Sequence, residues 1–62
     1  MPIVTVQLLE GRTYEQKKAM VEKVTKAIVE TTHASPERVK IVIEDMPKNH
    51  FAEAGILASE WE

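Results

Sequence analysis

Two β-branched runs on either side of one long amphipathic helix leave this chain few ways to fold. The first run, Pro2-Ile3-Val4-Thr5-Val6-Gln7-Leu8-Leu9, reads as a strand from Pro2 to Leu9. Ile3, Thr5, Gln7 and Leu9 then share one face, and Val4, Val6 and Leu8 the other. Both faces are substantially apolar, so each needs cover. Glu10-Gly11-Arg12 breaks the pattern, and Thr13-Tyr14-Glu15-Gln16 reads as a capping box that opens a helix. Met20, Val21, Val24, Ala27, Ile28 and Thr31 recur at helical spacing, with Glu15, Lys17, Lys18, Glu22, Lys23, Lys26 and Glu30 on the other faces. Glu22 and Lys26 form an i,i+4 pair. About five turns are expected, close to 30 Å long at ~1.5 Å per residue.

Ser35-Pro36-Glu37 puts a capping serine before proline and predicts a short helical turn. Val39-Lys40-Ile41-Val42-Ile43-Glu44 predicts a second strand, bounded by Asp45-Met46-Pro47. Phe51 to Gly55 reads as a small hairpin or a loop. Strand, helix, strand at these lengths is a βαβ unit with parallel strands and a right-handed crossover. The expected class is therefore α/β (α+β): one βαβ unit with a short C-terminal hairpin, a single domain over residues 1–62.

A chain of 62 residues has trouble burying enough surface by itself. Small chains add disulfides, a metal or partners. There is no cysteine, and the two histidines, His33 and His50, show no metal-ligand spacing. Oligomerisation remains: copies are expected to pair by sheet edges and to stack their uncovered faces. The net charge of −2, with acids and bases intermixed, argues against nucleic acid as a partner. No apolar run approaches the ~20 residues of a membrane span, and no leader pattern opens the chain. A cytoplasmic location is expected.

Pro2 is the candidate for chemistry. A proline inside a peptide bond has no N–H and no basicity. Removal of Met1, favoured when the next residue is small, would leave Pro2 with a free secondary amine at the mouth of a strand. A free α-amine titrates near pH 7.7–8.0, and burial among apolar groups lowers that value by penalising the cation. Such an amine suits general-base work at neutral pH. The plainer reading is that a Met-Pro start protects against aminopeptidases; if Met1 is retained, Pro2 is an amide and no base.

The remaining residues tip the balance. Pro2 ahead of a strand, the motif Leu9-Glu10-Gly11-Arg12 with Glu15-Gln16-Lys17, and the later His50-Phe51 resemble the 4-oxalocrotonate tautomerase family over nearly the whole chain. The resemblance implies small βαβ subunits assembled as a homohexamer, a trimer of dimers, and keto–enol tautomerisation of 2-hydroxydienoate or enol-pyruvate carboxylates without a cofactor. Pro2 would move the proton and Arg12 would hold a substrate carboxylate, through two parallel hydrogen bonds from its planar guanidinium. Phe51 would line the pocket. On composition alone, Arg12 is an ordinary surface arginine and Phe51 a packing residue. His50 is read as structural or exposed, and Trp61 as packing on a neighbouring subunit.

Two positions depart from the family pattern. The founding enzyme has a second carboxylate-binding arginine where this chain has Lys40, with Arg38 two residues earlier. Lysine keeps the charge and loses the fork; Arg38, on the same face if both lie in a strand, would partly substitute. Efficient dicarboxylate specificity is then not expected, and a monoacid such as phenylenolpyruvate is allowed. Glu53 follows Phe51 by two residues, the spacing of the water-activating glutamate in the haloacrylate dehalogenase branch. The alternatives are therefore a hydratase or dehalogenase activity through Glu53, or a non-catalytic oligomeric binding module if Met1 stays in place.

Overall fold

The computed structural model describes residues 2–61. Strand β1 covers Ile3–Leu9, helix α1 Tyr14–Thr32 and strand β2 Lys40–Met46; a hairpin follows, with β3 at Ala52–Glu53 and β4 at Ile56–Leu57. Three single-turn 3-10 segments, Pro36–Arg38, Lys48–His50 and Ala58–Glu60, fill the joints. Both long strands have seven residues and pair in parallel from Ile3↔Lys40 to Leu9↔Met46. The ladder is closed at one end by the Lys40 N–H donating to the Pro2 carbonyl (2.9 Å). At the other end the Glu10 N–H donates to the Met46 carbonyl (2.9 Å). The βαβ unit and the hairpin are as the sequence predicts.

β2 differs at both ends from the expected Val39–Glu44. Val39 is drawn into the preceding turn, its N–H donating to the Pro36 carbonyl (3.2 Å). Asp45 and Met46 join the sheet opposite Leu8 and Leu9. Asp45 also forms an ion pair with Lys17 of α1, tying the strand's end to the helix above it. β1 starts one residue later than expected, at Ile3, although Pro2 still lends the ladder its carbonyl.

The capping box forms in full. Thr13 Oγ1 accepts from the Gln16 N–H (3.1 Å), and Gln16 Oε1 accepts from the Thr13 N–H (2.9 Å). Glu22 pairs with Lys18, one turn earlier, rather than with Lys26 (2.8 Å). The hydrogen bond and the charge of Glu22 hold the Lys18 ammonium above the ordinary lysine pKa. The helix stops at His33, whose left-handed backbone (φ 64°) lets its N–H donate to the Val29 carbonyl (3.0 Å). Glycine usually fills that position because a side chain is strained there.

The two faces of the sheet behave differently. Val4, Val6, Leu8, Ile41 and Ile43 are half-buried on the side of α1, which contributes half-buried Met20, Val21, Val24 and Ile28. Ile3, Thr5, Gln7, Lys40, Val42 and Glu44 remain exposed on the opposite side. Ile3 is 58% and Val42 46% exposed. Gln7 and Glu44, cross-strand partners on that open face, are hydrogen-bonded through Nε2 and Oε1 (2.9 Å).

Among the described residues only Ala58 is buried. The radius of gyration is 14.6 Å, against about 11 Å for a compact chain of this length. The accessible surface is 4906 Å², where a compact protein of this mass exposes about 4,000 Å². The excess is similar to what one partner buries in an ordinary protein interface, about 800 Å². A chain this open has too little internal burial to offset its conformational entropy.

Two expectations follow. The thermal unfolding midpoint, followed by circular dichroism, should fall as the protein is diluted, since stability drawn from partners obeys mass action; a midpoint independent of concentration would contradict this. His33→Gly should raise stability by about 1 kcal/mol per chain by relieving the left-handed cap, read as a higher midpoint at fixed concentration.

Candidate active site

The residues singled out from the sequence fall into two groups, at opposite ends of the parallel ladder. Pro2 stands at its beginning, half-buried, on the strand whose neighbour starts with Lys40. The Lys40 side chain is exposed, and its Nζ lies 3.4 Å from the Glu37 carbonyl, a loose contact that leaves the ammonium free to turn. Arg38 is also at this end. It does not share a strand face with Lys40, because it closes the 3-10 turn Pro36–Arg38, its N–H donating to the Ser35 carbonyl (3.0 Å). Proline at the first position of that turn sets φ and holds the segment out of the sheet.

Arg12 and Phe51 are at the far end. The step from Pro2 to Leu9 spans about 23 Å at ~3.3 Å per residue, and Arg12 lies beyond Leu9. Gly11 turns the chain there with φ 122°, a conformation only glycine adopts without strain. The exposed Arg12 guanidinium donates from Nη1 to the Leu9 carbonyl (3.2 Å). That bond engages one corner of the fork and leaves donors for an anion.

Phe51 follows the turn Lys48–His50 and is half-buried. Its carbonyl accepts from the Ala58 N–H (2.7 Å), which folds the hairpin back on it. Ala54 and Gly55 form the two-residue hairpin loop with φ 54° and 79°, the pair of left-handed residues a tight hairpin requires. Trp61 meets Phe51 of its own chain edge-on, with ring centroids 5.8 Å apart at 84°. Its Nε1 donates to the Ile56 carbonyl (3.3 Å), and 41% of the residue stays exposed. Glu53 is exposed in β3, opposite Ile56, and His50 is exposed in the preceding turn.

Glu10, read from sequence only as a break in the strand pattern, turns out to have a partner. Its Oε2 accepts from the Lys48 N–H (3.2 Å), 38 residues away. No local signal could have found it, because the partner is a backbone group in a distant turn.

Within one chain, then, a basic end containing Pro2, Lys40 and Arg38 is separated from an end offering one arginine and an aromatic wall. A cleft of about 240 Å³, bordered by Tyr14, Lys17, Lys18, Val21 and Ile43, contains none of these residues. Among the described residues no cluster of His, Cys, Asp or Glu could hold a metal, and no helix is long and apolar enough to cross a membrane.

Known proteins share this fold over nearly the whole chain. The profile of the Tautomerase enzyme family matches residues 2–59. The chain is 56% identical over 62 residues to a 2-hydroxymuconate tautomerase of Bacillus subtilis, covering all of both chains. Its fold superimposes on YwhB, a homologue of 4-oxalocrotonate tautomerase, with a TM-score of 0.92 at 56% identity, covering 98% of this chain and 100% of the other. A heterohexamer 4-oxalocrotonate tautomerase from Chloroflexus aurantiacus matches with a TM-score of 0.92 at 26% identity, covering all of both chains. The chain belongs to the tautomerase family and is an isomerase.

Proposed function

We propose that this chain is a keto–enol tautomerase of the cytoplasm, acting on small 2-hydroxydienoate or enol-pyruvate carboxylates, with Pro2 as the general acid–base. Met1 lies outside the described residues; the reading requires its removal, which frees the Pro2 nitrogen. In the reaction, the neutral amine takes the enol hydroxyl proton, and the oxygen's electrons close the carbonyl. The π electrons shift along the conjugated chain, and the protonated proline delivers the same proton to carbon. No electrons are gained or lost, so no cofactor is called for.

The observation that carries the reading is the position of Pro2. It is half-buried at the start of β1 and fixed by the Lys40 N–H to its carbonyl, in a chain alike over its full length to a 2-hydroxymuconate tautomerase. Partial burial and neighbouring cations both favour the neutral amine over its conjugate acid. Arg12 would hold the carboxylate, withdrawing electron density toward the end of the substrate remote from the base. Lys40 would hold the acid nearer to Pro2 as a point charge, and Arg38 stands at the same end to assist. Phe51 would exclude water.

Because Arg12 is held at Leu9, about 23 Å along the ladder from Pro2 at ~3.3 Å per residue, a pocket using both must draw them from different chains. The open sheet face and the lack of a buried core support self-association, and we assign a homohexamer, a trimer of dimers. Glu53, exposed in the hairpin, has no role in ketonisation on this reading.

Intact-mass measurement should give a chain lacking Met1. Pro2→Ala should lower kcat for ketonisation of 2-hydroxymuconate or phenylenolpyruvate by about 10²-fold or more. Unchanged turnover in that variant would remove Pro2 from the mechanism. The unsubstituted enzyme should lose kcat/KM toward acid, where the amine is protonated.

Subunit mixing tests the shared pocket. Pro2→Ala and Arg12→Ala chains, each impaired alone, should recover activity when unfolded together and refolded. Random assembly would give roughly a quarter of the sites both native groups. No recovery would mean that each pocket takes Pro2 and Arg12 from the same chain.

A further inference from the structure

We infer that Glu10 is a positioning residue that locks the arginine end of the pocket to its aromatic wall; this rests on the assignment of Arg12 and Phe51 as substrate-binding groups. Arg12 hangs from β1 by two bonds around one turn: its guanidinium donates to the Leu9 carbonyl (3.2 Å), and the next residue's N–H, from Glu10, donates to Met46 (2.9 Å). The backbone then leaves the sheet through Gly11. On the other strand, the chain leaves β2 at Met46, passes Pro47 and enters the turn Lys48–His50 that delivers Phe51.

Among the described residues, one side-chain hydrogen bond ties these two exits together, from the Lys48 N–H to Glu10 Oε2 (3.2 Å). Lys48 opens the turn, so its N–H has no acceptor within that turn. A carboxylate is the strongest acceptor a side chain can offer there, and hydrogen bonds to charged groups are stronger than neutral ones. The Glu10 carboxylate is engaged by the backbone of the turn. It determines where the turn sits, and hence how far Phe51 stands from the guanidinium. The same turn is braced internally by the His50 N–H to the Pro47 carbonyl (2.8 Å), so it moves as a unit.

Three variants test this in the assembled enzyme. Glu10→Ala removes the acceptor, whereas Glu10→Gln keeps a carbonyl oxygen at the same reach. Lys48→Pro removes the donor from the opposite side. Pro47 already has φ −57° and ψ 149°, a conformation that tolerates a following proline, and the first position of a turn accepts one.

Glu10→Ala should lower kcat/KM by about tenfold, chiefly through KM, and leave the pH dependence set by Pro2 unmoved. Glu10→Gln should restore kcat/KM to within about threefold. Lys48→Pro should reproduce the Glu10→Ala defect, and the two together should be no worse than either alone. An unchanged KM in Glu10→Ala, equal impairment in Glu10→Gln, or multiplying effects in the double variant would overturn the assignment.

Trp61 supplies a readout independent of turnover, since it is the sole tryptophan and rests on Phe51. Its emission should shift in Glu10→Ala and Lys48→Pro and not in Glu10→Gln; identical emission in all would also overturn the assignment. Should the unsubstituted protein ketonise no enol carboxylate, the functional reading falls while emission still decides the clamp.

Discussion

The parallel register between β1 and β2 governs the rest of this molecule. Seven consecutive pairs, from Ile3↔Lys40 to Leu9↔Met46, fix which side chains face α1 and which face away. A slip of one residue would exchange Val4, Val6 and Leu8 with Ile3, Thr5 and Gln7, and present polar groups to the helix. The same register sets the ends of the sheet. It brings Pro2 beside Lys40, and it sends the two exits, Glu10 and Pro47, to a common rim. One helix can cover only one side, so the register also produces the uncovered face.

Much of this was legible in the residues themselves. The capping box at Thr13 and Gln16 depends on groups three positions apart, so local spacing reveals it. The alternation in β1 is equally local, and the observed exposure follows it residue by residue through Leu8. In sequence, Phe51 to Gly55 is open between a hairpin and a loop; the left-handed Ala54 and Gly55, with the Ala58 N–H donating to the Phe51 carbonyl, make it a hairpin.

What escaped was non-local or competitive. Asp45 looks like a terminator, yet an ion pair with Lys17 carries it into the sheet. Arg38 would share a face with Lys40 only in a strand, and the turn that Pro36 opens extends to include it. Lys18 and Lys26 are equally spaced partners for Glu22, and periodicity cannot choose between them. The role of Glu10 hangs on a contact 38 residues away that no window of sequence contains. For the candidate pocket, the residue types were visible and their separation was not. Spacing along the chain says nothing about which end of a sheet a residue occupies until both strands are paired.

The separation of the two residue groups has an evolutionary corollary. On the proposed reading, a chain lends its proline to one pocket and its arginine to another, so the two ends are inherited together but selected through different pockets. After gene duplication, one copy could lose its proline and the other its arginine without either loss being lethal, provided both copies co-assemble. Such a pair would be locked into mutual dependence by ordinary mutational drift, with no gain in catalysis at any step.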